Sequence, residues 1–106
     1  MTLLAWGVFV LAALMEVTGD AAIRKGLRGA GAAYMAVGFL ILGAYGFVVN
    51  IVRWDFSKLL GVYVAVFALT SILAGRFVFQ ETIPHSTWLG LLLIICGGLV
   101  IQFGRR

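Results

Sequence analysis

Four long apolar runs, separated by short clusters of charged and polar residues, set the pattern of this chain. The first run extends from about residue 3 to 22 and leads into Arg24, Lys25, Gly26 and Arg28. The second, residues 31 to 51, contains no charged side chain and closes at "NIVRWDF", where Trp54 is placed as an interfacial aromatic and Arg53 and Asp55 mark the water boundary. The third covers residues 59 to 79. The polar turn "QETIPHST" follows, in which Pro84 blocks helix continuation and Ser86 or Thr87 is a candidate cap for the next helix. The fourth, residues 88 to 103, ends at Arg105 and Arg106. Each run approaches the roughly 20 residues that an α-helix needs to cross a bilayer. The expected fold is therefore an all-α integral membrane protein with four transmembrane helices, forming a single domain over residues 1–106.

Composition agrees with that pattern and leaves no room for a soluble domain. Of the 106 residues, 63% are hydrophobic and 11% charged, and the mean hydropathy is +1.12. The first run is read as a retained span rather than a secretory signal. It has no basic residue ahead of it, and Glu16 falls where a cleavage motif would lie. Cys96 is the sole cysteine, so neither an internal disulfide nor a cysteine metal cluster can form, and a small packing role is expected for it. His85 is the sole histidine and is expected to be solvated in its turn.

The net charge of +4 comes from basic residues scattered among the connections. Such scatter suits orientation and anchoring by membrane lipid headgroups, and nucleic-acid binding is not expected. With four spans the termini share a side. Arg24, Lys25, Arg28 and Arg76 then fall on one side, and Arg53, Lys58, Arg105 and Arg106 on the other. Four against four gives no positive-inside bias. Either the order of insertion sets the orientation, or the chain inserts both ways and pairs with an inverted copy of itself. The second is favoured, because four thin helices can hardly enclose a polar pathway alone.

Glu16 is the position that carries chemistry. It lies about 20 Å along the first helix at 1.5 Å per residue, inside a hydrocarbon layer of about 30 Å. A carboxylate there costs at least roughly 2.5 kcal/mol unless it is protonated, paired or open to a wet cavity, which makes it a functional candidate by default. Asp20 and Arg24 follow at spacings of four, so the three residues share one stripe. Asp20 is either the structural partner of Arg24 near the interface or the second member of a coupled carboxylate site that titrates jointly with Glu16. Arg76 is placed as an interfacial charge or as the answer to Glu81. Tyr34, Phe39, Tyr45 and Phe47 are read as lipid-facing or packing aromatics, with a cation pathway as the alternative, and Gly43 and Gly46 as sites of a bend or close contact. The hydroxyl and thiol groups of Ser57, Ser71, Ser86 and Cys96 have no histidine or acid at a useful spacing, so no enzyme is expected.

A four-span chain of this length, with "LMEVTGD" in its first span and balanced flanking charge, resembles the small multidrug resistance family of the drug/metabolite transporter group. Members carry a central glutamate in the first helix followed by a small apolar pair and a glycine, as in Glu16, Val17, Thr18 and Gly19 here, with a basic residue at that helix's end, matched by Arg24 or Lys25. The last span, "LGLLLIICGGLVI", places Gly90 and Gly97 seven apart, similar to the helix that the family uses to dimerise. The turn "FQETIP" also resembles the family's connection before that helix.

The resemblance implies an antiparallel, dual-topology homodimer in which two Glu16 carboxylates bind protons or an organic cation in competition, with alternating access and the proton gradient as energy source. It implies no cofactor and no metal. A heterodimer is the variant assembly, and a bacterial inner membrane the location. Along the third span the family's glycine, tyrosine and tryptophan fall on Ser57, Leu60 and Tyr63, and only Tyr63 keeps an aromatic ring. Tyr63 would offer a π face to an organic cation or a hydroxyl to Glu16; the alternative is an ordinary aromatic in a helix contact. Two other functions compete: a carrier of lipid-linked or polyisoprenoid molecules, and a membrane accessory subunit in which Glu16, Asp20 and Arg24 form a permanent ionic lock with another protein.

Overall fold

A computed structural model describes residues 2–104, with the side chain of Thr2 left aside. Among them are four α-helices: α1 (Thr2–Lys25), α2 (Ala32–Val49), α3 (Phe56–Phe77) and α4 (His85–Phe103). All four are long and apolar enough to cross a membrane. The basic pair Arg105 and Arg106, expected to close the fourth span, lies outside the described residues.

Helix ends differ from the sequence reading by up to three residues, and most of the larger differences have a local cause. The first helix runs past Ala22 to Lys25, because Arg24 and Lys25 complement the negative end of the helix dipole and their long side chains reach outward while the backbone stays helical. A π-helical turn, Gly26–Ala30, follows and is broken by Gly29 (φ 115°); Gly31 (φ 108°) then starts α2. Both angles lie where only glycine is unstrained. The second helix stops at Val49, short of Ile51, where the Asn50 side-chain amide donates 2.8 Å to the Gly46 carbonyl and competes with the helical ladder. The third begins at Phe56 with Asp55 as its N-cap residue, three residues earlier than its apolar run, and ends two residues earlier at Phe77. The fourth begins at His85 on an extended Pro84, whose carbonyl accepts from Thr87 N–H at 3.0 Å. No side chain caps it, so the capping expected of Ser86 or Thr87 does not occur.

The chain divides into two compact units, Met1–Val52 and Arg53–Arg106, each a helical hairpin. In the first, α1 and α2 cross through glycines. A Cβ built on Gly19 would stand 2.8 Å from Leu42 Cδ2, and one on Gly26 would stand 2.5 Å from Met35 Cγ. Helices in lipid gain no hydrophobic drive from meeting each other, so close backbone approach supplies the dispersion contact that holds them. In the second, α3 meets α4 where Gly61 faces Ile101 and Gly98 faces Ala65, whose methyl would lie 2.8 Å from a Cβ built on Gly98. Thr70 and Ser71 return their hydroxyls to the Val66 and Ala68 carbonyls at 2.8 and 3.0 Å, so neither leaves a bare polar group inside α3.

Candidate functional site

Along α1 the buried residues Ala5, Phe9, Ala12 and Ala13 recur at helical spacing. Glu16 falls on the same stripe, three residues beyond Ala13 and four beyond Ala12, and is half-buried. At 1.5 Å per residue it stands roughly 21 Å from the start of α1 and about 14 Å from its end. The face of α1 that the fold covers therefore leads directly into a carboxylate in the interior of a helix long and apolar enough to cross a membrane. Glu16 is engaged within the folded chain rather than free.

Gly19, one residue before Asp20, is buried in the crossing with α2. That crossing lies about 60° around α1 from Glu16 and about 100° from Asp20, at 100° per residue. Glu16 consequently flanks the crossing while Asp20 turns away from it and is exposed. Arg24 is exposed in turn, and no ion pair joins it to Asp20 among the described residues. The three residues share the stripe that their spacing requires without forming a chain of contacts.

Tyr63 lies in the second hairpin, 3% exposed on α3 beside the buried Leu59 and Val62, and stacks on Phe67 with ring centroids 6.2 Å apart. Its ring is thus buried and rests on a ring one turn further along its own helix.

The other residues singled out by pattern have distinct surroundings. No atom lies within 4 Å of where a Cβ would stand on Gly90 or Gly97, so both leave open notches on α4, and the contact with α3 runs through Gly98 instead. Cys96 is exposed beside them rather than packed within the chain. Gly43 and Gly46 are likewise open and, with Phe47, Asn50 and Ile51, line a shallow hollow near the end of α2. Arg76 places its guanidinium 5.5 Å from the Phe77 ring centre. Glu81 rests at Gly75: its N–H donates to the Gly75 carbonyl at 2.9 Å, and its Oε1 lies 2.5 Å from where a Gly75 Cβ would be.

Two contacts had no single-residue signal in the sequence. The Lys25 ammonium sits 4.8 Å from the Tyr34 ring centre, joining the end of α1 to the start of α2. Lys58 sits 4.6 Å from the Trp54 ring centre, across the first turn of α3. Each pairs a long cation with an aromatic near a helix end, an arrangement suited to the membrane–water boundary. No group of three or more histidine, cysteine or acidic residues that could hold a metal ion occurs among the described residues.

A protein-family model described as "Uncharacterised BCR, YnfA/UPF0060 family" matches residues 2–106. Among similar proteins, a UPF0060 membrane protein of Nocardia farcinica is 34% identical, over 93% of this chain and 91% of its own length. One of Kineococcus radiotolerans is 30% identical over the same shares. One of Synechocystis sp. is 28% identical over 92% of each chain. No solved structure matches.

Proposed function

We propose that this chain, which belongs to the YnfA/UPF0060 family of membrane proteins, is a proton-coupled exporter of small or hydrophobic organic cations. The observation that carries the reading is Glu16, a half-buried carboxylate deep in α1 on the stripe of that helix which the fold covers. An acid at that depth is retained at a cost of a few kcal/mol, which a site exchanging a proton for a cation accounts for directly.

The resemblance to small multidrug resistance transporters supports the same chemistry. In the working unit two copies insert in opposite orientations as a homodimer in a bacterial inner membrane, the balanced basic count permitting both insertions, and the open notches at Gly90 and Gly97 admit the partner's α4. The two Glu16 carboxylates face one chamber. Protons bound there are displaced by a cation on the inner face, and protons arriving from outside displace the cation after the two chains exchange conformations. Competition at one site couples the fluxes, so the proton gradient supplies the energy and no covalent step occurs. Asp20 tunes the site from the next turn of α1.

The test is proton release from the detergent-solubilised protein on adding cations from guanidinium to tetraphenylphosphonium. Release that Glu16→Gln abolishes supports the exporter. No release from folded, dimeric protein with any of these cations overturns the reading for them and moves weight to a lipid-linked carrier or an accessory subunit.

A further inference from the structure

The connection between α1 and α2 is the most one-sidedly charged segment of the described chain. Arg24, Lys25 and Arg28 are all exposed, and no acidic residue occurs from residue 21 to residue 54. The other connections differ: Asp55 stands between Arg53 and Lys58, and Glu81 follows Arg76. The first connection is also firmly built. Gly26 is buried against Met35, Gly31 N–H returns to the Gly26 carbonyl at 3.4 Å, and Gly29 and Gly31 hold backbone angles closed to other residues. The three cations are therefore presented on a fixed turn.

Their roles differ. Lys25 is drawn onto the Tyr34 ring, whereas no ring or carboxylate answers Arg24 or Arg28 among the described residues. Arg24 lies in the last turn of α1, and Arg28 follows four residues on in the connection, where the backbone has left the helix (φ −97°, ψ 22°), so both stand at one end of a membrane-spanning helix. Beside them Leu27 is 71% exposed and Tyr34 42% exposed. Two planar guanidinium forks next to an exposed leucine match an amphiphile whose anionic head is a phosphodiester and whose tails lie below it.

We infer that Arg24 and Arg28 form a clamp for the phosphate of an anionic phospholipid in the surrounding bilayer, with Leu27 resting among its acyl chains and Lys25 serving the α1–α2 contact instead. A free phosphate ion would satisfy the guanidinium groups equally but would make no use of the exposed leucine between them at the end of a membrane-spanning helix, so the lipid is the occupant assigned. The inference stands apart from the exporter reading and uses none of its residues as substrate ligands.

The full chain, reconstituted in nanodiscs of phosphatidylcholine with and without phosphatidylglycerol, tests this by lipid retention in native mass spectrometry and by thermal unfolding. Phosphatidylglycerol is expected to be retained at least tenfold in preference to phosphatidylcholine, to raise the unfolding temperature, and to lose both effects as salt is raised. Arg24→Gln with Arg28→Gln should remove the preference, and Lys25→Gln should keep it. Because the double glutamine variant can fail to insert, Arg24→Lys with Arg28→Lys provides a charge-conserving check. It should lose several-fold of the preference, since an ammonium cannot bridge two phosphate oxygens as a guanidinium does. Equal retention of the two lipids, full preference in the double lysine variant, or stabilisation by inorganic phosphate equal to that by phosphatidylglycerol would each overturn the clamp.

Discussion

Gly19 and Gly38 meet backbone to backbone: a Cβ on Gly38 would stand 2.6 Å from the Gly19 carbonyl oxygen and 2.6 Å from Ile23 Cγ1. A carbonyl oxygen inside a helix cannot swing aside, so any side chain at Gly38 must push α1 away. Gly38→Ala is expected to destabilise the first hairpin by about 1–3 kcal/mol, the usual range for overpacking. Gly43→Ala, whose added methyl meets open space, should be close to neutral. Thermal unfolding of both variants in one detergent, followed by helical circular dichroism, checks the contrast.

The α4 glycines separate fold from assembly. Gly98→Val drives a branched side chain into the Ala65 methyl at 2.8 Å and should lower the unfolding temperature of the single chain. Gly90→Val and Gly97→Val add bulk where the chain itself has nothing within 4 Å. These two should leave the monomer's stability within about 0.5 kcal/mol of wild type while weakening the proposed dimer. Light scattering of the purified variants, read beside their unfolding curves, distinguishes the effects. A dimer unaffected by both valines would remove the notches from the interface.

The proposed competition of protons and a cation at Glu16 has a defined pH signature. On the acid side of the site's titration, each proton released per bound cation weakens apparent cation affinity about tenfold per pH unit, or 1.36 kcal/mol. One participating carboxylate thus gives a slope of one, and two give a slope of two. Glu16→Gln should flatten the profile. Isothermal titration across pH supplies the slope, and a wild-type affinity independent of pH would rule out the shared site.

Gly75 and Glu81 form a pair open to a double-mutant cycle. Gly75→Ala pushes its methyl against Glu81 Oε1, the far end of a flexible side chain, so the expected cost is about 1 kcal/mol or less. Glu81→Ala removes that obstacle, and the double variant should recover much of the loss. Additive effects in thermal unfolding would mean that the carboxylate does not rest on Gly75.

The four helices were legible because charged residues interrupt the apolar runs only where the chain leaves the membrane-spanning stretches. Their ends were less so. Apolarity marks where a helix can be buried, whereas Lys25, Asp55 and His85 take part in helices for reasons of dipole, backbone geometry and the preceding Pro84. Glu16 could be placed at depth by counting residues, and its stripe followed from the helical period. The seven-residue spacing of Gly90 and Gly97 identified a face of α4 but not what covers it. That helix is apolar all round, so periodicity carries no direction, and only the contact at Gly98 shows which side meets α3. The Gly19–Gly38 crossing was missed for a related reason: Gly19 and Gly26 repeat at the same interval as Gly90 and Gly97, yet here the glycines are filled by α2 rather than left open.

The crossing of α1 and α2 also sets an order in time. Gly19, Gly26, Met35, Gly38 and Leu42 all lie within 24 consecutive positions of the chain. Contacts this local close quickly and need no partner from later sequence. During synthesis the first hairpin can lock as soon as Leu42 has entered the bilayer, while α3 and α4 are still to be made, so that the span bearing Glu16 never has to rest in lipid as a lone helix awaiting the end of translation.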